Sequence, residues 1–541
     1  MKNAPPQEGL ARNQIRWRRL FRPAALAAIS SGLLFGFLAG PASAAPTGAV
    51  VTPSNAGTTY VPVAQARIVD TRAGSGSPYA GQAIAAGQSL NVQVSGNGGI
   101  PDGAAVAVLN VTAINPTQAG FLSVNPEGQA NQNSVSNLNF IAGQTVANLV
   151  TVSLSSGGGI EIYNQFGTTN VAVDVEGYYG STQAANGSGL FNTISPDRAL
   201  GNFQSGAPIG SNSFATVPVA ADNGVPAGAS AVVVNLTAAG ATAPSYLSAY
   251  PAGATPPPVS NLNFVAGQTV ANRATVALGT NSAIDIYNLA GTVNVDVDVT
   301  GYYTGAGGNV GSAFVPITPQ RLLDTRTPNT AATPIAPGTT EAFNLSNANI
   351  PTSASAVATN VTAIPGNAPG YLTVYPTSDS TVPGTSDVNW AADQVVPNFT
   401  IADTAATGYV NIYNSPGSTL NLAVDAFGYF APVTPPVQGL TITATPQSVS
   451  PSGTASIVAT VTSNGVPDGN VQVQIIVDSP TTAACQFDND LDPTVGNTDM
   501  NGQFTSTYTA PAATGSESTC LVTAYGPGGL MAGTTITNLA S

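Results

Sequence analysis

The sequence of 541 residues contains no histidine, and only 7% of its residues are charged. Without histidine, the chain cannot assemble a Ser-His-Asp triad, a Cys-His pair or a histidine-ligated zinc or iron site. Its one lysine, Lys2, lies near the N-terminus, so the chain after this residue has no lysine for Schiff-base chemistry. Paired carboxylates and oxygen-ligated metals are the chemistry that the composition leaves open.

Residues 1–44 have the pattern of an export signal. A segment with five arginines precedes an apolar run at 24–40, and Ala42-Ser43-Ala44 is a small-x-small cleavage site. We therefore expect the mature chain to begin at Ala45 and to be secreted, in an extracellular or wall-associated setting. Arg18-Arg19 resembles a twin-arginine motif, so both the general and the twin-arginine routes stay open. The alternative to cleavage is an uncleaved membrane anchor.

The mature chain is strongly acidic. Six of the 12 basic residues and one of the 26 acids lie in the leader, which leaves six basic and 25 acidic residues and a net charge of −19. Such a surface repels nucleic acid and anionic lipid, so we expect neither as a partner. No membrane contact is expected once the leader is removed.

One sequence pattern occurs three times at a spacing of about 125 residues. A period of this length corresponds to a whole domain rather than to a solenoid unit. The Asn-x-Thr copies match a glycosylation acceptor, but they lie inside strand patterns and are interpreted as coincidence. The recurring phrases are Asn-x-Thr-Ala at Asn110, Asn235 and Asn360, Ser-Asn-Leu-Asn-Phe at 136–140 and 260–264, and Val-x-Val-Asp-Val-x-Gly-Tyr-Tyr at 171–179, 295–303 and, loosely, 422–430.

Within each copy the apolar residues recur with the period of a strand, and turn residues fall every 8–12 residues or so. We therefore predict an all-β fold of three tandem antiparallel β-sandwich, jelly-roll-like modules and a C-terminal immunoglobulin-like β-sandwich. Small, polar or proline-rich segments predict flexible joints between separate modules. The predicted boundaries are 1–44 signal peptide, 45–59 linker, 60–180, 190–304 and 313–431 for the three repeats, and 439–541 for the last domain.

The repeated phrases, together with Arg-Leu-Leu-Asp-Thr-Arg at 321–326 and Gly-Tyr-Leu-Thr-Val-Tyr-Pro at 370–376, resemble tandem repeat modules of exported actinobacterial proteins. That resemblance implies export and carries little functional content. Residues 439–541 resemble bacterial immunoglobulin-like domains of the invasin and intimin type, through phrases such as Asn-Gly-Val-Pro-Asp-Gly-Asn-Val at 464–471. In such proteins the domain usually projects other parts from a surface.

Recurring arginines and aspartates predict structural ion pairs. The aspartates lie on strands whose alternate residues should face a core, and a buried carboxylate without a partner costs several kcal/mol. We expect one pair in each repeat, which joins the first strand to the last; the alternative is that the acids point to solvent. The pairs are Arg67–Asp174, Arg198–Asp298 and Arg321–Asp425.

Three tyrosines, Tyr163, Tyr287 and Tyr413, recur on one strand of the pattern. They could stack on a sugar face, or they could cover cross-strand neighbours, which is commoner. Trp390 stands where the other repeats have phenylalanine, so we predict that it belongs to a core.

The only cysteines, Cys485 and Cys520, are expected to form one structural disulfide in the last domain. Between them, Asp488, Asp490 and Asp492 alternate as in some calcium loops, but the glycine and distal glutamate of an EF-hand are missing. A solvated acidic loop is the alternative, and no other cofactor is predicted.

The sequence therefore favours a non-catalytic secreted or wall-associated protein that acts as a structural spacer or in surface interaction and adhesion. The alternative is multivalent binding of a wall or extracellular polysaccharide. An enzyme is not expected, because no constellation of reactive residues is shared intact by the three copies.

Overall fold

In a computed structural model, the described residues are 57–541 apart from 130–134, 183–186, 203–205, 221–222, 309, 328–332, 434–437, 464–465, 470, 479–493, 513–514 and 527–528. They form an all-β structure with one short 3-10 helix, Thr280–Ser282, so the predicted fold class is confirmed. The export signal lies outside the described residues.

Repeat 1 has eight strands in two four-stranded antiparallel sheets. The order is β1-β8-β3-β6 in the first sheet and β2-β7-β4-β5 in the second. We call these the inner and the outer sheet. The strands are β1 (Tyr60–Asp70), β2 (Gln88–Gln93), β3 (Val106–Ile114), β4 (Gly120–Pro126), β5 (Leu138–Phe140), β6 (Thr145–Ser153), β7 (Gly159–Asn164) and β8 (Asn170–Tyr179).

Repeats 2 and 3 have the same strand orders, and their inner sheets join through β9 and β17 into one eight-stranded sheet. Repeat 2 consists of β9 (Phe191–Gly201), β10 (Ser213–Pro218), β11 (Ala231–Ala239), β12 (Ser245–Pro251), β13 (Leu262–Phe264), β14 (Val270–Ala277), β15 (Ala283–Asn288) and β16 (Asn294–Tyr303). Repeat 3 consists of β17 (Ser312–Asp324), β18 (Thr340–Asn344), β19 (Ala356–Pro365), β20 (Gly370–Pro376), β21 (Val388–Trp390), β22 (Val396–Asp403), β23 (Tyr409–Asn414) and β24 (Leu420–Pro432).

The C-terminal domain packs two sheets around its own core. Its one parallel contact among described strands joins β26 to β33. Its strands are β25 (Gln438–Thr445), β26 (Ser448–Val449), β27 (Thr454–Ser463), β28 (Val466–Pro467), β29 (Gln472–Asp478), β30 (Thr494–Asn497), β31 (Gln503–Thr509), β32 (Ser518–Tyr525) and β33 (Met531–Asn538).

The inner sheets are buried on both faces. In β3, Leu109 and Val111 belong to the core between the two sheets of repeat 1. Val106 and Val108, on the opposite face of the same strand, belong to a second core whose 16 residues come from all three repeats. The expectation of separate modules on flexible joints is therefore wrong, because the three inner sheets bury their outward faces against one another. Apolar surface on both sides of a sheet needs cover on both sides.

Candidate functional site

Each repeat holds one arginine and one aspartate side by side where its first and last strands meet. The Nε atom of Arg67 lies 2.8 Å from Asp174 Oδ1. The equivalent distances are 2.7 Å in repeat 2 and 2.5 Å in repeat 3. In every pair, Nη2 also donates to the second carboxylate oxygen, at 2.9, 3.2 and 3.1 Å. The structure thus brings together all three suggested pairs, Arg67–Asp174, Arg198–Asp298 and Arg321–Asp425.

Strand register explains how this pair is placed. Arg67 on β1 is opposite Asp174 on β8, and a shift in register lies on each side of the arginine. Such irregularities bend a strand and redirect its side chains. Val173 and Val175 point into the core of repeat 1, so Asp174 points to the other face of the sheet. Burial raises the pKa of Asp174, and the Arg67 guanidinium opposes that shift.

A second carboxylate joins the arginine in every repeat: Asp70 in repeat 1, Asp296 in repeat 2 and Asp324 in repeat 3. Asp70 Oδ2 lies 3.7 Å from Arg67 Nη1 and 2.6 Å from Arg72 Nη2. Hydrogen bonding from Arg72 lowers the pKa of Asp70. In repeat 3, Arg326 Nη2 lies 2.7 Å from Asp324 Oδ2 in the same way. The Asp-Thr-Arg phrase therefore forms a local ion-pair cluster.

Asparagine side chains connect repeat 1 to repeat 2. The Asn110 amide group donates to the carbonyl oxygen of Ser260. The Asn272 amide donates to Asn110 Oδ1 at 2.9 Å, and its own Oδ1 accepts the main-chain N–H of Leu149 at 3.1 Å. All of these side chains are buried, so each bond replaces water at a site that water cannot reach.

The same bonds join repeat 2 to repeat 3 and repeat 3 to repeat 1, which closes a ring. In both interfaces the amide group of one asparagine donates to the side-chain oxygen of another at 2.9 Å. The oxygen of the donating asparagine accepts a main-chain N–H at 3.0–3.1 Å. The residues are Asn398 with Asn235 and Arg273, and Asn148 with Asn360 and Phe399. The asparagines of the Asn-x-Thr recurrence are buried and bridge neighbouring repeats, which gives the recurrence a structural reason other than glycosylation.

The buried aspartates take part in the same ring. The main-chain N–H of Ser260 in repeat 2 donates to Asp174 Oδ2 of repeat 1 at 3.4 Å. Equivalent main-chain bonds run from Ser386 to Asp298 and from Ser136 to Asp425. Each ion pair therefore holds its own repeat together and also contacts the next repeat.

Six aromatic rings, two from each repeat, form the centre of the shared core. One ring is at the start of the first strand and the other at the end of the last strand. Each first-strand ring packs on the last-strand ring of another repeat, with centroids 4.3–4.6 Å apart. The pairs are Tyr60 with Tyr303, Phe191 with Phe430, and Phe314 with Tyr179.

Glycine in the Gly-Tyr-Tyr phrase is required by this packing. A Cβ atom on Gly177 would overlap the Tyr60 ring, and one on Gly428 would overlap the Phe314 ring. In the Gly-Tyr-Tyr phrase, the glycine therefore leaves room for the first-strand ring of its own repeat. The last residue of the phrase supplies the ring that packs against another repeat.

The first interface also contains a buried carboxyl group. Glu176 Oε1 accepts the side-chain amide of Asn261 at 2.6 Å, and Oε2 accepts the main-chain N–H of Thr275 at 2.7 Å. Glu176 is 2% exposed, and burial raises its pKa to about 8.

At the second interface the buried charges are an arginine and an aspartate. Arg273 is fully buried; it donates to the Asp387 carboxylate, and its Nη1 donates to Thr300 Oγ1 at 2.9 Å. Sequence reasoning missed Arg273 and Glu176. The available signal was that each is a charged residue at a position where the other repeats have uncharged residues.

The three tyrosines proposed as sugar contacts lie half-buried on the outer sheets. Each packs near an aromatic ring on the neighbouring strand of its own sheet, at centroid distances of 6.4, 6.4 and 6.2 Å. The pairs are Tyr163 with Phe121, Tyr287 with Tyr246, and Tyr413 with Tyr371. Trp390 is buried in the core of repeat 3, as its equivalence to phenylalanine suggested.

Two predicted sites fall mainly outside the described residues. Cys520 is buried in the C-terminal core, but Cys485 is not among the described positions, so the disulfide stays a prediction. Asp488, Asp490 and Asp492 are likewise outside them, and the calcium hypothesis is untouched. Within the described residues, no cluster of three or more metal-ligating side chains occurs.

No protein-family model and no curated protein matches the chain. It is similar to a solved tetra-tandem repeat from the extending region of a large adhesion protein, with 10% identity, 80% of this chain and 95% of that chain covered, and a TM-score of 0.17. It is also similar to the triple jelly roll of an archaeal virus turret assembly, with 10% identity, 69% and 91% covered, and a TM-score of 0.16. In the described part of the chain, no helix is long and apolar enough to cross a membrane.

Proposed function

We propose that the mature chain is an exported, non-catalytic protein in which the three repeats act as one structural body for surface interaction. The observation that carries this proposal is the closed ring of contacts between repeats. Residues that recur in the sequence are the residues that build the ring, so their recurrence is accounted for by assembly.

The arginines support a structural role. Every one of the six arginines after the leader is paired with a carboxylate. A glycosidase-type site needs two carboxyl groups that both face a substrate. The recurring aspartates instead face arginines and the main chain of the next repeat, which leaves them no free acceptor role toward a substrate.

Ring closure argues against the role of an extended spacer for the three repeats. A string of independent modules adds length with each copy, as an extended spacer requires. Three repeats that share one core add a single compact body. We therefore favour surface interaction or adhesion over simple spacing for the repeats.

The experiment is fractionation of cells that produce the full chain, followed by incubation of the purified mature protein with peptidoglycan and insoluble polysaccharides. We expect the protein in the medium or wall fraction, and no soluble sugar or peptide products. Retention in the cytoplasm would contradict export, and time-dependent release of products would contradict the non-catalytic assignment.

A second candidate function is glycan binding by the outer sheets. The observation that favours it is that all three outer sheets carry an aromatic pair in the same place, built on Tyr163, Tyr287 and Tyr413. Aromatic faces stack on sugar rings, and three weak sites on one body gain avidity.

A polysaccharide pull-down separates the two candidates. If the tyrosine rings bind sugar, the triple variant Tyr163→Ala, Tyr287→Ala, Tyr413→Ala loses retention. The matched triple Tyr→Phe variant keeps the rings and should keep retention. Equal retention of wild type and the alanine variant on every material would remove the outer sheets as the binding site.

A further inference from the structure

The three interfaces share one asparagine framework but differ in the groups beside it. Three positions vary together, and we call them the variable set. They are Glu176, Leu149 and Asn137 in repeat 1, Thr300, Arg273 and Asn261 in repeat 2, and Phe427, Phe399 and Asp387 in repeat 3.

Between repeats 1 and 2, the variable set places Glu176 against Asn261. The carboxyl group accepts two hydrogen bonds, and no arginine is paired with it. Between repeats 2 and 3, the set places Arg273 against Asp387 as a fully buried ion pair. Between repeats 3 and 1, the positions equivalent to these charged groups hold Phe427, Phe399 and Asn137, so that interface has no charge in the set.

Three repeats can follow one another around a ring in two cyclic orders. The first and last strands of every repeat contribute residues to the shared aromatic core, so each repeat end lies close to both neighbouring repeats. From Tyr179, at the end of repeat 1, both other repeats lie within that core. Residues that differ between the interfaces can therefore select the order.

We propose that the variable set fixes the order of the repeats around the ring, and that Arg273–Asp387 is its main determinant. In the opposite order, Glu176 of repeat 1 would meet Asp387 of repeat 3, which leaves the Asp387 carboxylate beside a carboxyl group instead of an arginine. Arg273 of repeat 2 would meet Asn137 of repeat 1 and lose its partner. A buried aspartate and a buried arginine that have each lost their partner are strongly unfavourable.

The structure provides matched substitutions for the test. Asn261 in repeat 2 occupies the place of Asp387, and its Oδ1 accepts the main-chain N–H of Ala249 at 2.8 Å. Asp387 Oδ2 accepts the N–H of Val374 at 2.6 Å in the same way. Asp387→Asn therefore keeps an oxygen that can accept the Val374 N–H, and Arg273→Leu installs the residue that repeat 1 has there.

The first measurement is a double-mutant cycle on the full mature chain, read by thermal unfolding. Each single variant leaves one buried charge without its partner, so we expect each to lower the melting temperature by roughly 5–10 °C. The double variant Arg273→Leu/Asp387→Asn should lower it less than either single change. Additive losses in the double variant would overturn the pairing on which the proposal rests.

The second measurement tests order itself, by methyl NMR of chains refolded from denaturant. Wild type should return as one species, whereas the double variant should give two sets of signals, one for each order. The control variant Arg326→Leu/Asp324→Asn removes the same charges from a pair outside the interfaces and should give one set. If the double variant refolds to one species with the wild-type spectrum, the proposed determinant of order is wrong.

Discussion

The inner sheets of the repeats and the sheets of the C-terminal domain differ in how they are covered. In β3, eight consecutive residues are buried, whereas exposed and half-exposed residues alternate along most of β31. Both segments are strands in antiparallel sheets. The difference shows that continuous burial in an antiparallel strand marks a surface meant for a partner, and that alternation marks a sheet with a solvent face.

The largest expected effect breaks the shared core. Phe314→Ala removes a ring that is 1% exposed and stacks on Tyr179 at 4.6 Å. We expect a loss of about 3–5 kcal/mol in the free energy of unfolding of the repeats. In calorimetry, the three repeats should unfold in one transition, and this transition should shift to lower temperature. The control Leu521→Ala, in the C-terminal domain at 42% exposure, should change stability by about 0.5 kcal/mol or less.

A smaller loss is expected when one recurring ion pair is broken. Asp298→Asn removes the carboxylate that binds Arg198 and lies 1% exposed. Because Arg198 keeps Asp296 at 2.5 Å and is itself 30% exposed, we expect about 3 kcal/mol, the lower end for a broken buried pair. Chemical denaturation measures it. A change below about 0.5 kcal/mol would mean that the pair is a passive surface contact.

The stability of the ring should depend on pH through Glu176. Its pKa is raised from 4.5 to about 8 by burial, and Asp174 adds to the shift. Between pH 4.5 and 8 the folded state therefore binds a proton that the unfolded state has released. The contribution of protonated Glu176 to the free energy of unfolding is complete below pH 4.5 and is lost as the pH rises through 8.

Glu176→Gln should remove that loss. Between pH 5 and 8, wild type should lose up to about 1 kcal/mol more per pH unit than the variant. Melting curves of both proteins across this range test the sign. Parallel pH profiles would contradict a protonated Glu176 at the interface.

The smallest expected effect lies outside the ring contacts. Arg326 is 40% exposed and pairs with Asp324 within one turn of chain. Arg326→Ala should cost about 0.5 kcal/mol or less, because solvent screens exposed pairs. A loss as large as that of Asp298→Asn would remove the distinction between interface and surface charges.

Sequence alone predicted the all-β class and placed Arg67 opposite Asp174. That was possible because a strand's period of two puts Asp174 on the face opposite Val173 and Val175, and a carboxylate there needs a cation. The ring was not predicted, because a fixed sequence period shows that a module is repeated but does not show whether the copies associate. Asn110 was visible as a recurrence, but its partner Asn272 lies 162 positions away.

A usable signal was nevertheless present. Residues 105–112 form a nearly continuous apolar run. An independent antiparallel sandwich would instead alternate apolar and polar residues in this strand, because one face of its sheet meets solvent. An asparagine in the middle of such a run has to find a partner on the face that the fold of one repeat leaves open. Together these two features predict a docking surface.

Closure has a consequence for how such chains can grow. An open solenoid can gain or lose a unit at either end, because each unit meets only its neighbours. Here the Phe314 ring of repeat 3 is already seated against Tyr179 of repeat 1, so a fourth copy would find no vacant seat. A single added copy would leave the outward face of its inner sheet uncovered, whereas three added copies could close a second ring.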